Sequence, residues 1–127
     1  MVAPRVTKSG AMPPIDYDDR RFRAVETTAS GEVGDGTVFH YRQRSDVVWA
    51  TYEGGGVRFG TLVAAVNGAG GLDMRYGHVN ASGELMTGEC RSTPEVLGDG
   101  RLRLHERWRW TSGDRSEGES VVEEIGR

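Results

Sequence analysis

Cysteine is almost missing from this chain of 127 residues: Cys90 stands alone, so no intramolecular disulfide forms and a reducing compartment suits it. Long apolar runs are missing too, none approaching the roughly 18 residues of a membrane-spanning helix. Residues 1–14 lack the apolar core of a secretory signal and contain Pro4, Pro13 and Pro14. They read as a mobile arm, and the expected location is cytoplasmic. No segment carries the apolar period of a convincing helix. Nor is charge of one sign in large excess. A net charge of −3 makes no electrostatic case for nucleic acid or an anionic membrane surface as partner.

Signatures of metal and covalent chemistry are also absent. His40, His78 and His105 fall on different segments, without the i, i+2 or i, i+4 spacing of common metal sites. Cys90 has no neighbouring histidine or second cysteine to activate it, and reads as a small core filler. No Gly-x-Ser-x-Gly elbow occurs. The glycines at 31, 34 and 36 lack the lysine and the strand-then-helix setting of a phosphate loop, so they read as a hairpin turn. No metal and no cofactor are expected.

What the chain does have is glycine, 19 in all, spaced as punctuation rather than as a repeat. Between the glycine-rich turns lie segments of alternating apolar and polar residues, the mark of β-strands. Strands are expected over 21–30, 37–44, 47–53, 57–67, 72–80, 84–93, 101–111 and 119–125. Their short connections favour antiparallel neighbours, because parallel ones need long crossovers. Eight is a strand number at which a sheet can close on itself. The fold class expected is all-β, an eight-stranded antiparallel up-and-down β-barrel over 21–127, with a flexible arm or lid over 1–20. A two-sheet sandwich is the competing architecture, but no long Greek-key return is visible.

In the segment 101–111, Leu102, Leu104, Trp108 and Trp110 face inward, while Arg103, His105, Arg107 and Arg109 face water. Glu106 then falls on the apolar face, where a carboxylate must be paired, hydrogen-bonded or protonated. It is a candidate proton-transfer group; the plainer alternative is a bond to an interior arginine or tyrosine. On 72–80, Met74, Tyr76 and His78 share the inner face with Leu72, and His78 is a second candidate for proton transfer. Phe39, Tyr41 and Gln43 also point inward. On 47–53, either Trp49 with Thr51 or Ala50 with Tyr52 faces in, and the reading adopted is Trp49. Gly88 on the inner face leaves open space. The candidate ligand-binding residues are Tyr41, Gln43, Trp49, Met74, Tyr76, Trp108 and Trp110. Aromatic walls with few polar anchors build small-molecule pockets, though rings can also simply fill a barrel of this size.

Five strings carry a resemblance. They are Trp49-Ala50-Thr51-Tyr52, Arg58-Phe59-Gly60-Thr61-Leu62, His78-Val79-Asn80, Met86-Thr87-Gly88-Glu89-Cys90 and the run from His105 to Asp114. On these the chain resembles a family of small bacterial barrels, avidin-like or calycin-like, whose members are often labelled N-acetylglutamate synthase. The resemblance spans roughly 37–125 and implies a ligand-sized lumen with tryptophans. It does not imply acetyl transfer: Arg115-Ser116-Glu117-Gly118-Glu119-Ser120 only approaches a pyrophosphate loop, with serine at its end and no helix after it. Nor do biotin-contacting residues map onto the chain one by one. Three functions are compatible with the pattern. The first is a barrel binding a partly apolar or aromatic small molecule. The second is a cofactor-independent cyclase, isomerase or hydro-lyase using Glu106 and His78. The third is an interaction protein presenting the basic stripe of Arg103, His105, Arg107 and Arg109. A homodimer through an outer barrel face is compatible with all three.

Overall fold

A computed structural model describes residues 14–28 and 31–126 of the chain. Eight strands follow one another: β1 (Arg20–Thr27), β2 (Val38–Arg44), β3 (Val47–Gly54), β4 (Val57–Val66), β5 (Leu72–Asn80), β6 (Leu85–Val96), β7 (Leu102–Trp110) and β8 (Glu117–Gly126). Each pairs antiparallel with the next, and β8 pairs back onto β1, so the sheet closes into an up-and-down barrel, with no helix among the described residues. Closure leaves no unpaired edge, which is how an all-β chain of this size avoids edge-to-edge association.

The expected barrel is thus the one observed, with small differences at strand ends. β6 continues past Pro94, which stands opposite Leu104, as far as Val96. Proline costs a ladder hydrogen bond, and near a strand terminus that loss is tolerated. Positions 29 and 30, assigned from sequence to the first strand, lie outside the described residues.

Alternation sorts the side chains. On β7, Leu102, Leu104, Trp108 and Trp110 are buried, and the arginines between them reach outward. Three aromatic side chains inside the barrel each lie against a glycine on the following strand: Tyr52 opposite Gly60, Tyr76 opposite Gly88, and Trp108 opposite Gly118. A Cβ at any of these glycines would collide with the partner ring. Gly88 therefore does not leave space open, as expected from sequence; the Tyr76 ring occupies it.

The two barrel ends differ. At one end, reached by the β2–β3, β4–β5 and β6–β7 turns, residues 14–19 fold under the barrel. Tyr17 is fully buried there; its hydroxyl donates to the Gly70 carbonyl and its amide to Gln43 Oε1 at 2.8 Å. Arg20 joins Glu124 at 2.6 Å, and Glu124 also accepts from the Leu102 amide at 3.0 Å. Of the arm expected over 1–20, then, residues 14–19 are part of the packed barrel, and 1–13 lie outside the described residues. The opposite end opens on the cavity described below.

Candidate functional site

The cavity occupies the open half of the barrel, with a volume of about 50 Å³, and it is partly open to solvent. Its walls are apolar and aromatic: Phe39, Leu62, Met74, Tyr76, Trp108 and Trp110. The tryptophan rings lie 5.9 Å apart, and Tyr76 meets Trp110 edge-on at 5.7 Å. Into this lining project the polar groups of Tyr52, Glu106, Ser120 and, at the mouth, Glu32. Sparse polar anchors in an aromatic cleft are the usual construction of a small-ligand site.

Glu106 points inward from the middle of β7. Its register partners on the neighbouring strands are both serines, Ser92 on β6 and Ser120 on β8. Each hydroxyl donates to one carboxylate oxygen, and both bonds are long, 3.3 Å. No ion pair reaches this carboxylate among the described residues. Burial pushes its carboxyl up to about 7, and the two serine hydroxyls offset that only in part. Among the described residues its hydrogen-bond partners are these two serines, not an interior arginine or a tyrosine. Glu106 can exist near neutral pH as either carboxylate or acid, which suits it to meet a charged ligand or to exchange a proton.

His78 lies behind the cavity wall rather than on it, fully enclosed near the end of β5. Its Nδ1 meets the Tyr52 hydroxyl at 2.9 Å and its Nε2 meets Glu32 Oε1 at 2.7 Å. An ionised carboxylate only accepts, so hydrogen-bond logic places the ring proton on Nε2 and leaves Nδ1 to accept from Tyr52. The imidazole stands nearly perpendicular to the rings of Tyr52 and Trp110, each with its centroid 5.6 Å away. Glu32 sits in the loop after β1, yet bonds both His78 and Asn80 on β5; Asn80 Nδ2 donates to it at 2.9 Å. The loop therefore crosses the barrel mouth. A Cβ on Gly31 would press on the Trp108 ring, and one on Gly56 would strike the Glu32 carbonyl, so the loop passes close over both. The chain Tyr52–His78–Glu32 connects the cavity to the mouth through two short bonds and can relay a proton or hold the Tyr52 hydroxyl in one orientation. Desolvation pushes the phenols of Tyr52 and Tyr76 upward, and burial does the same to the Cys90 thiol; all three remain neutral.

Of the residues singled out from sequence, Glu106, Met74, Tyr76, Trp108 and Trp110 line the cavity together. Tyr41 is buried but lies below it, packed between Phe22, Phe39 and Tyr17. Gln43 is at the closed end, where it accepts from the Tyr17 amide and donates to the Ser45 carbonyl at 2.8 Å. Trp49 faces outward, 37% exposed, with the Arg44 guanidinium 5.9 Å above its ring. The inward residues of β3 are Val48, Ala50 and Tyr52, so the alternative set aside at the sequence level is the correct one. The reason is register. Ser45 and Asp46 make a two-residue turn that sets Phe39 opposite Tyr52 and Tyr41 opposite Ala50. Opposed residues share a face. Glu32, Ser92 and Ser120 are not among the sequence candidates, and Tyr52 stands there only in the alternative set aside.

The outer stripe of β7 is not a bare basic surface. Arg103 pairs with Glu123 at 3.0 Å, His105 with Glu95 at 2.8 Å, Arg107 with Glu119 at 3.6 Å and Arg109 with Glu89 at 2.7 Å. Acidic side chains of β6 and β8 thus match it charge for charge. Among the described residues no group of three or more His, Cys, Asp or Glu side chains could hold a metal ion. No curated protein and no solved structure matches the chain. A family model described as avidin-like protein matches residues 15–125, from the segment that closes one barrel end to the last strand. The chain belongs to the avidin-like family.

Proposed function

We propose that the protein binds a small, partly apolar molecule inside the open half of its barrel. The observation that carries this reading is the cavity itself: aromatic and aliphatic walls around a half-buried carboxylate without a counter-ion among the described residues, at the end of the barrel that Tyr17 does not close. A barrel evolved only for stability would gain by filling that space and replacing Glu106 with an apolar residue, since burying a carboxylate is costly. The three tryptophans provide the test. Trp108 and Trp110 line the cavity and Trp49 lies outside. Titration with indole, a small aromatic probe, should shift the side-chain N–H resonances of Trp108 and Trp110 and leave that of Trp49 in place. Shifts confined to Trp49, or none at millimolar probe, would contradict the reading. A second reading, proton-transfer catalysis in the same cavity, rests on the Tyr52–His78–Glu32 chain. It requires that Tyr52→Phe abolish conversion of the natural ligand while leaving its binding intact.

A further inference from the structure

We infer that the ligand of this cavity is an organic cation, a compact apolar or aromatic body carrying an ammonium group that sits against Glu106. The inference rests on the small-molecule reading above and narrows it to a chemical class. Its basis is a charge imbalance. Among the described residues that line the cavity, Glu32 and Glu106 are the charged ones, and both are acidic. Glu32 is already engaged by His78 and Asn80. Among the described residues Glu106 receives two long serine hydrogen bonds and no counter-ion.

The surroundings of Glu106 sharpen the point. Tyr41 on β2, Tyr52 on β3, Tyr76 on β5, Cys90 on β6 and Tyr17 below face it as neutral groups, each held protonated chiefly by burial and further by the Glu106 charge. The β7 and β8 arginines and glutamates beside it point outward and pair with one another. Among the described residues nothing in the cavity neutralises the carboxylate. An ammonium would do so, offsetting the cost of a half-buried lone charge. The faces of Trp108, Trp110 and Tyr76 add the attraction of aromatic rings for a cation. An anionic ligand would meet two carboxylates and no partner. A neutral one would leave the imbalance in place.

The probes are three molecules of one shape and different charge: phenethylammonium, 2-phenylethanol and phenylacetate. Each is titrated into the protein at pH 8 and pH 6, following tryptophan fluorescence and the indole N–H resonances. At pH 8, where Glu106 is ionised, phenethylammonium should bind at least ten-fold more tightly than 2-phenylethanol, and phenylacetate least tightly. The ammonium advantage should shrink at pH 6 and vanish in Glu106→Gln, a variant that keeps side-chain shape. Equal or tighter binding of the alcohol or the carboxylate at pH 8 would overturn the cation assignment while leaving the lumen reading intact. An ammonium advantage that survives in Glu106→Gln would likewise overturn the role of Glu106. If none of the three, nor indole, perturbs Trp108 or Trp110, the lumen reading fails and this inference fails with it.

Discussion

Glu106 shows how a single side chain can set both the chemistry and the stability of a small barrel. Folding moves its carboxyl from an ordinary value of 4.5 up to about 7, because burial disfavours the charged form. The sign of the pH dependence follows. At low pH the group is protonated in folded and unfolded chains alike, and its contribution is fully present. Between 4.5 and 7 the unfolded chain releases its proton first, so stability falls as pH rises and the loss is complete above about 7. Glu106→Gln removes this term while keeping a neutral side chain of the same shape. Thermal unfolding of the two proteins should therefore diverge from pH 5 to pH 8, the variant becoming the more stable by several degrees. A difference that stays constant across that range contradicts the assignment of Glu106 as an acid whose carboxyl is raised by burial. On the proposed function, the wild-type residue is a stability cost offset by its role in the cavity.

Pairs of neighbouring strands carry the next level of organisation. Tyr52 on Gly60, Tyr76 on Gly88 and Trp108 on Gly118 repeat one device, in which a large ring is seated by the absence of a side chain across the ladder. Gly88→Ala places a methyl into the Tyr76 ring and should destabilise the barrel by about 1–3 kcal/mol, as overpacking does. In a Tyr76→Ala background the same substitution should cost little, so urea denaturation should show strong non-additivity. Additive effects would mean that the ring does not occupy that space. These pairings also explain what was legible in the sequence. The period of two along β7 exposed its inner face directly, including the anomalous Glu106. On β3 both faces carry large residues, Trp49 and Tyr52, so alternation alone could not choose between them. The two-residue turn at Ser45 and Asp46 held the answer, since opposing Arg44 to Val47 forces Tyr52 onto the same face as Phe39. Ser92 and Ser120 could have been found the same way, by laying the β6, β7 and β8 segments in register around Glu106. Glu32 could not. It sits in a glycine-rich loop, and its partnership with His78 depends on that loop crossing the mouth from β1 to β5, a distance no local pattern encodes.

At the scale of the whole molecule, the barrel is asymmetric along its axis. Tyr17, Gln43 and the Arg20–Glu124 pair close one end, while aromatic rings and acidic groups line the other. Outside, the charges of β7 cancel against β6 and β8. The third sequence reading, an interaction protein presenting a basic stripe, therefore loses its free charge. A closed avidin-like barrel with a cavity in one half is consistent with small-molecule binding. The measurement that tests this most directly is native mass spectrometry of the protein isolated from its own host, beside Trp108→Ala prepared identically. The account predicts one small molecule per chain on the wild-type protein, released on denaturation and missing from the variant. A wild-type protein that carries only its own polypeptide mass, or a bound molecule retained undiminished in Trp108→Ala, would contradict it.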